Sequence, residues 1–306
     1  RSFHRELEEA LANFIGKESC HVFSAGYLAC ASSVTGFVGR KDLVLADKNL
    51  HSSLWSGIKL SGAHCERFAH NRPEHLREIL EAEDQETGKA IVLEGIYSME
   101  GHIARLPELM EVANKFNAFT ILDDAHGIGV LGSNGRGTAN HFEVNDQIDV
   151  ICGSFSKSLS GVGGFVASSK EAIDYMRSHS KQTIFSAALT PVACACARAA
   201  LQVMQDEPEH RERLFKNLER YVSLLKELNL DIWDSEAPAV PIVLGEKEKV
   251  YYFWKALLEK GVYSIISIAP GVPPGKDLIR TAISGAHTDD DLDRIEEAIR
   301  YAATKI

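Results

Sequence analysis

The sequence lacks the patterns that mark metal-binding, nucleic-acid-binding and membrane-spanning proteins. Its six cysteines have no metal-ligand spacing, because the two nearest, Cys194 and Cys196, are separated by a single residue. There is no run of lysines and arginines, and the formal net charge is -10 at pH 7. No apolar stretch approaches the ~18 residues that a membrane span requires. We therefore expect no metal site, no nucleic-acid partner and no membrane span.

Two further absences concern where the protein works. The chain opens with Arg1-Ser-Phe-His-Arg-Glu, which is no secretory signal peptide, and its cysteines are typical of reduced, apolar side chains. We therefore expect a cytoplasmic protein. Because there is no initiating methionine, we also expect that Arg1 is not the natural N-terminus.

What the sequence does have is typical of a globular enzyme. Hydrophobic residues make up 45% and charged residues 25% of 306 positions, enough for one large domain and one smaller domain. We find no internal repeat, low-complexity tract or flexible linker. Disordered and fibrous classes are therefore excluded.

Short apolar runs alternate with amphipathic segments over the first ~200 residues. The predicted strands are Leu43–Ala46, Ala90–Glu94, Ala118–Leu122, Ile148–Cys152 and Gly164–Ser168. The predicted helices are Phe3–Ile15, Pro73–Ala82, Pro107–Phe116 and Val192–Met204. This alternation predicts an α/β domain with a mostly parallel sheet covered on both faces. The pattern of predicted strands and helices changes near Asp206-Glu-Pro208. We therefore predict a large domain over 1–206 and a smaller α+β domain over 207–306.

The chain is organised around the stretch Gly153–Phe165, which places Lys157 between serines and closes with a glycine pair. Because it lies between two apolar runs, we expect Lys157 to sit inside the sheet layer as a covalent anchor for a cofactor. The alternative is an ordinary loop lysine whose ammonium lies in water.

Other chemical groups follow other predicted strands. His51 comes soon after one strand, and Asp123 and His126 come directly after another. The segment from Ala25 to Ser32 brings Gly26 to a helix start, where backbone N–H groups bind phosphate. Each feature has an ordinary structural explanation, since a lone histidine is more often structural and an aspartate can cap a turn.

Taken together, these groups match the needs of pyridoxal phosphate. A lysine amine holds that cofactor covalently, and an aspartate beside the pyridine nitrogen keeps it protonated as an electron sink. An imidazole can stack on the ring, and a helix N-terminus can bind the phosphate. Neither a metal site nor a Ser-His-Asp hydrolase explains this set as well.

The sequence as a whole resembles the α-oxoamine synthases. The resemblance covers essentially the whole chain and rests on five motifs: Asp123-Asp-Ala-His126, Ser154-Phe-Ser-Lys157-Ser-Leu with Gly163-Gly164, His51-Ser-Ser-Leu, Glu94-Gly-Ile-Tyr-Ser-Met-Glu-Gly101, and Arg280 to His287-Thr288. It implies a fold-type I pyridoxal phosphate enzyme, with a mostly parallel seven-stranded sheet in the large domain. Such enzymes join an amino acid to an acyl-CoA and release carbon dioxide. The resemblance also implies a homodimer with shared active sites, and it predicts that the family's N-terminal arm is missing from this chain.

The resemblance implies a role for each matching residue. Lys157 would hold the cofactor and move the Cα proton, Asp123 would pair with the pyridine nitrogen, and His126 would contact the phenolic oxygen. His51 would stack on the ring and touch the substrate carboxylate, which Arg280 would bind. The remaining contacts are implied for Gly26, Tyr27 and Ser154 at the phosphate, Ser186 from the partner subunit, and Ser98 beside the phenolic oxygen.

Within the family, the serines beside Lys157 and the segment Ile184–Pro191 resemble the serine palmitoyltransferases. They predict L-serine and a long-chain acyl-CoA as substrates, a product like 3-ketosphinganine, and a place in sphingolipid biosynthesis. The loop Ile266–Gly275 lacks the arginine expected before its first proline. Three alternatives therefore stay open: another synthase of the family that uses glycine or alanine, a non-catalytic subunit of the same fold, and an aminotransferase.

Overall fold

This computed structural model describes residues 2–84 and 86–306. Contacts between residues divide the chain into two units. The first unit comprises Arg1–Tyr97 and Ala104–Glu207, and the second comprises Ser98–Ile103 and Pro208–Ile306. The predicted division at 206 and 207 stays a prediction, and the contacts add that Ser98–Ile103 group with the second unit. Arg1 and Gln85, which fall within the predicted first domain, lie outside the described residues.

The first unit consists of a sheet and the helices that cover it. Its strands are β1 (Ser19–Phe23), β2 (Leu43–Asp47), β3 (His64–Phe68), β4 (Lys89–Glu94), β5 (Phe119–Asp123), β6 (Val150–Ser154) and β7 (Gly164–Ser168). Its α-helices are α1 (Ser2–Ile15), α2 (Gly26–Thr35), α3 (Ser52–Ser61), α4 (Pro73–Ala82), α5 (Leu106–Lys115), α6 (Thr138–His141), α7 (Lys170–His179), α8 (Lys181–Ile184) and α9 (Pro191–Asp206).

The seven strands form one mixed sheet in the order β1-β7-β6-β5-β4-β2-β3. The run from β6 through β5, β4 and β2 to β3 is parallel, which confirms the predicted mostly parallel α/β sheet. β7 is antiparallel to both β6 and β1. The reversal at β7 has a local cause, because a parallel partner would need a crossover of a dozen or more residues, and only residues 155–163 separate β6 from β7.

Both faces of this sheet are covered by apolar side chains. Successive residues of a strand point to opposite faces, so Leu45 and Ile91 join one core cluster while Val44 and Val92 join the other. Helices α1, α4, α5 and α9 contribute to the first cluster, and α2, α3 and α7 contribute to the second. This explains why the buried strands are apolar along their length.

The second unit is an antiparallel sheet with three helices of 13 to 19 residues. The strands are β8 (Ala239–Gly245), β9 (Ile265–Ser267) and β10 (Asp277–Ala282), in the order β8-β10-β9, and the helices are α10 (Glu209–Glu227), α11 (Lys247–Glu259) and α12 (Asp289–Ala303). Thr288 and Asp291 form a reciprocal capping box that starts α12. Every helix within residues 2–84 and 86–306 is too short or too polar to cross a membrane.

Candidate active site

A cavity of about 300 Å³ opens in the first unit. The last residues of three neighbouring parallel strands line it, namely Glu94 of β4, Asp123 of β5 and Ser154 of β6. Ligands of open α/β sheets bind at this carboxyl end of the strands. The cavity brings together these residues predicted from the sequence: Gly26, Tyr27, His51, Asp123, His126, Ser154 and Lys157.

Lys157 lies in the tight loop that joins β6 to β7. Phe155 is fully buried and anchors this loop, since its N–H donates to the Gly163 carbonyl at 2.9 Å and its own carbonyl accepts from Gly161 N at 2.8 Å. The Lys157 carbonyl accepts from Ser160 N at 3.0 Å, which closes a turn around the lysine. Our expectation that Lys157 sits inside the sheet layer is wrong, because this turn leaves the side chain exposed at the cavity.

Asp123 is the last residue of β5 and is 5% exposed. One carboxylate oxygen, Oδ1, accepts from Ala125 N at 3.0 Å, and the other, Oδ2, accepts from the Cys30 thiol at 3.0 Å. Burial raises the pKa of Asp123 above its ordinary value, whereas both hydrogen bonds lower it. A buried carboxylate that lines a cavity is suited to a cationic group of a ligand.

His51 is the N-cap residue of α3, and its ring is held by its own helix. Nδ1 accepts from Ser53 N at 3.3 Å and lies 2.6 Å from Ser53 Oγ. Because Nδ1 is an acceptor here, the neutral imidazole carries its proton on Nε2. The backbone N–H of His51 donates to the Glu94 carboxylate, which ties the start of α3 to the end of β4.

The N-terminus of α2 forms another part of the cavity wall. Ala25, the N-cap residue, supplies no side-chain hydrogen bond, so the first N–H groups of this ten-residue helix are not capped by it. A Cβ on Gly26 would lie 2.6 Å from Ser154 Cβ, so only glycine lets the helix start approach the end of β6. Ser154 Oγ lies 2.8 Å from Ser156 Oγ. This combination of helix N-terminus and hydroxyl groups is typical of a phosphate site.

Three predicted site residues do not line this cavity. Arg280 and Ser98 belong to the second unit, where Arg280 Nε donates to the Ser98 carbonyl at 2.7 Å. Arg280 is half-buried and lines a different cavity of about 500 Å³ within that unit, and burial lowers its pKa. Ser186, just after α8, donates to the Gln182 carbonyl of its own chain. The roles implied for these three residues stay predictions.

The structure adds site residues that our reading of the sequence did not assign. Glu94 and Cys30 both line the cavity, and each is almost fully buried. Glu94 ends a predicted strand, so its position at a strand's carboxyl end could have revealed it. Cys30 could not be found in this way, because it lies inside a helix and meets Asp123 only through packing over 93 positions of sequence.

Two of the residues that line the cavity, Cys30 and Asp123, also form a cluster with the buried Cys152. One ligand atom each from Cys30, Asp123 and Cys152 lie within 4.8 Å of one another, close enough to bind a metal ion. Burial raises the pKa of the Cys152 thiol, and a proton on either thiol disfavours metal binding. The absence of a metal site therefore stays a prediction.

The groups in this cavity fit pyridoxal phosphate. The fit rests on an exposed primary amine, a buried carboxylate, an imidazole and an uncapped helix N-terminus that only glycine allows to approach Ser154. An amine can hold the aldehyde of the cofactor, a carboxylate its pyridinium and a helix N-terminus its phosphate.

Comparison with protein families supports the same assignment. The profile of the family "Aminotransferase class I and II" matches residues 1–299. Serine palmitoyltransferase from Sphingobacterium spiritivorum is 38% identical over 298 residues, which is 97% of this chain and 75% of that protein. The 8-amino-7-oxononanoate synthase 1 of Bacillus velezensis is 36% identical over 305 residues, which is 100% of this chain and 78% of that protein.

Solved structures of such proteins have the same fold. Serine palmitoyltransferase from Sphingomonas wittichii superposes with a TM-score of 0.97 at 31% identity, over 99% of this chain and 77% of that one. A serine palmitoyltransferase variant from S. paucimobilis with a bound PLP-myriocin aldimine gives a TM-score of 0.96 at 33% identity, over the same shares of the two chains.

Proposed function

This chain belongs to the aminotransferase class I and II family, as an α-oxoamine synthase, and on that premise we propose that it condenses L-serine with a long-chain acyl-CoA. Its enzyme class is that of the pyridoxal phosphate-dependent acyltransferases. The proposed reaction forms a carbon–carbon bond, releases the serine carboxyl group as carbon dioxide and releases CoA from the thioester. The product is a 2-amino ketone like 3-ketosphinganine, which would place the enzyme in sphingolipid biosynthesis.

The observation that carries this proposal is the cavity that joins Lys157, Asp123 and His51 at the carboxyl end of the sheet. The choice of serine has narrower support, namely the 38% identity with a serine palmitoyltransferase and the serines that flank Lys157. The six cysteines are free and four of them are buried, as is typical of a reducing compartment, so we also propose a cytoplasmic enzyme.

When bound, pyridoxal phosphate supplies an electron sink that stabilises negative charge on the substrate Cα. Lys157 Nζ would hold the cofactor and later carry the Cα proton. The Asp123 carboxylate would keep a proton on the pyridine nitrogen, and its burial strengthens such a charge pair. The imidazole of His51 would stack on the ring and contact the substrate carboxylate.

The remaining proposed roles are binding and orientation. The N–H groups of Gly26 and Tyr27 and the hydroxyl of Ser154 would bind the phosphate. His126 and Ser98 would contact the phenolic oxygen. The Arg280 guanidinium would bind the departing carboxylate in a bidentate manner and so orient it.

We also propose a homodimer in which the partner subunit supplies Ser186 to the phosphate. Large apolar side chains near that residue support an interface, since Phe185 is 82% exposed and Val192 is 73% exposed. Val162, at the cavity, is 68% exposed. Sedimentation analysis of the purified protein would test the dimer directly, and a monomer that retains full activity would contradict it.

A second candidate function is an 8-amino-7-oxononanoate synthase. The specific observation in its favour is the 36% identity with the Bacillus velezensis enzyme, which is nearly the value for serine palmitoyltransferase. That function would pair alanine with a dicarboxylic acyl-CoA and serve biotin synthesis instead.

One experiment separates these candidates. The protein loaded with pyridoxal phosphate is incubated with serine, alanine and glycine, each paired with long-chain, dicarboxylic and short acyl-CoA, and the product masses are measured. We expect the mass of a serine-derived long-chain amino ketone, with Lys157→Ala as the inactive control. Product from alanine or glycine at lower amino-acid concentrations would contradict the choice of serine. No product from any pair would contradict the acyltransferase assignment.

A further inference from the structure

The Asp123 carboxylate accepts a hydrogen bond from the thiol of Cys30, a residue for which the resemblance implies no role. We propose that Cys30 is a positioning residue, whose thiol orients the Asp123 carboxylate toward the pyridine nitrogen of the cofactor. This inference rests on the proposed function, because it concerns the pyridoxal phosphate site.

The contact between the two side chains is direct and buried. Cys30 lies in α2 and is 3% exposed, and its Sγ donates to Asp123 Oδ2 at 3.0 Å. Ala125 N donates to the other oxygen, Oδ1, at 3.0 Å. With one donor on each oxygen the carboxylate cannot rotate freely, and each oxygen keeps a lone pair for a further partner. Two donors therefore set the plane in which Asp123 meets a ligand.

The thiol is suited to this role because it stays protonated. Contact with the Cys152 thiol and burial raise the pKa of the Cys30 thiol well above its ordinary value, and its single proton is directed to Asp123. At neutral pH Cys30 is therefore a donor and adds no negative charge beside Asp123. A thiol is also a weaker donor than a hydroxyl, so it orients the carboxylate while taking little of its capacity to accept from a cationic nitrogen.

Several other groups act on Asp123 and are present in every variant, although Cys152 also loses its contact with Cys30 in Cys30→Ala. They are His51 before α3, Lys157 and Cys152 from the β6 side, Asp124 next in the chain, and Glu94, which pairs with Asp123 in the register of β4 and β5. Because all of them are common to the variants below, differences between variants report on the Cys30 contact.

Loss of the thiol has a predictable sign. The Cys30 hydrogen bond lowers the pKa of Asp123, so its removal raises that pKa further. Binding of the pyridinium needs an ionised Asp123. The pH midpoint above which pyridoxal phosphate binds tightly should therefore move upward in Cys30→Ala, and it should stay or move downward in Cys30→Ser, whose hydroxyl is the stronger donor.

The test measures the dissociation constant of pyridoxal phosphate between pH 5.5 and 8.5 for wild type, Cys30→Ala, Cys30→Ser and Cys20→Ala. Cys20 is a matched control, because it is 1% exposed on β1 and does not line the cavity. We expect Cys30→Ala to weaken binding about tenfold near neutral pH, as loss of one hydrogen bond to a charged group implies. We expect Cys30→Ser and Cys20→Ala to stay within about threefold of wild type, a range below the value of one hydrogen bond.

Three results would overturn the inference. Wild-type affinity and midpoint in Cys30→Ala would mean that the thiol has no effect on Asp123. A uniform loss of affinity with no change of midpoint would mean that Cys30 only fills space. A Cys30→Ser variant as weak as Cys30→Ala would mean that a donor at this position does not matter. Wild-type protein that takes up no pyridoxal phosphate would contradict the proposed function itself, which separates that failure from the other three.

Discussion

Asp123 and Asp124 are consecutive, chemically identical and almost fully buried, yet they belong to opposite sides of the sheet end. Asp123 lines the cavity and accepts from Cys30 and Ala125. Asp124 accepts from Thr138 twice, from its backbone N–H at 2.7 Å and from its hydroxyl at 2.6 Å. Adjacent side chains at a strand end point in opposite directions. Asp123 therefore faces the cavity, which we call the cavity side, and Asp124 faces the loop that Thr138 closes, which we call the scaffold side.

The scaffold side holds the loop that carries His126. Thr138 begins α6, fourteen residues after Asp124, and its two hydrogen bonds close the intervening loop. Gly137 within this loop has φ 105°, and a Cβ there would lie 2.9 Å from Ile128 Cδ1, so the close approach needs glycine. One residue along the backbone therefore separates a side chain of the candidate active site, Asp123, from a side chain that stabilises the neighbouring loop, Asp124.

The largest effect is expected on the cavity side, at Lys157. Lys157→Ala should remove the covalent hold on the cofactor and lower turnover by at least about 10⁴-fold, since both an anchor and a proton carrier are lost. Product formation and borohydride trapping of cofactor on the protein check this. Because the side chain is exposed, the fold should survive. A trapped lysine adduct in the variant would contradict the assignment of Lys157, and Lys170→Ala on α7 is the surface control.

Asp123→Asn should affect chemistry more than stability. An amide cannot hold the pyridine nitrogen protonated, so we expect turnover to fall by about 10²–10³-fold and pyridoxal phosphate to bind at least about tenfold more weakly, as in Cys30→Ala. Steady-state kinetics and cofactor titration measure the two quantities. Asp124→Asn provides the contrast, with turnover reduced by less than about tenfold. Equal losses in the two variants would break the separation between the cavity side and the scaffold side.

Asp124→Asn should instead change how stability depends on pH. Burial raises the pKa of Asp124 from its ordinary value of 3.8 to about 7. The folded state therefore holds this proton more tightly than the unfolded state, and the associated stability is present below about pH 4 and is lost as the pH rises to about 7. Asparagine has no such proton to lose.

The size of that effect follows from the two pKa values. The step from 3.8 to about 7 corresponds to about 4 kcal/mol at most, so the free energy of unfolding of Asp124→Asn relative to wild type should rise by up to that amount between pH 4 and pH 8. Urea unfolding at several pH values measures it, and other titrating groups cancel in the difference. A difference that is constant with pH would show that Asp124 titrates normally in the folded protein.

The smallest effect is expected at Thr138. Thr138→Val removes the hydroxyl donor to Asp124 and should lower the free energy of unfolding by about 1–3 kcal/mol, because a buried carboxylate oxygen loses its partner. Thr138→Ser keeps the donor and should cost less than about 1 kcal/mol. Both variants should bind pyridoxal phosphate like wild type, since Thr138 lies outside the residues that line the cavity.

Much of the fold could be predicted from short-range patterns. The predicted helix Pro73–Ala82 has the same bounds in the structure, and the strand Gly164–Ser168 does too. Strands β1 and β3 and helix α7 were not predicted. β3 in particular has only one fully buried residue, Phe68, so its apolar pattern is too weak to be recognised.

The candidate site likewise contains residues that could be predicted from the sequence and contacts that could not. Lys157, Asp123 and His126 could be predicted because each directly follows an apolar strand, and the carboxyl ends of parallel strands meet. Cys30 and the tie between Glu94 and His51 could not, because such contacts depend on which helix packs behind which strand. The exposed position of Lys157 likewise depends on the turn that its loop adopts.

The sequence by itself determined the alternation of strands and helices, the α/β class, the α-oxoamine synthase family and the candidate reactive groups. The alternation and the class follow from hydrophobic periodicity and the candidate groups from residue types at strand ends, both of which act over a few residues, whereas the family follows from the resemblance of its motifs. Only the tertiary structure decided the antiparallel placement of β7 and β1, the grouping of Ser98–Ile103 with the second unit, and the opposite surroundings of Asp123 and Asp124. The physical reason is that these features arise from packing between segments far apart in the chain, which no local pattern encodes.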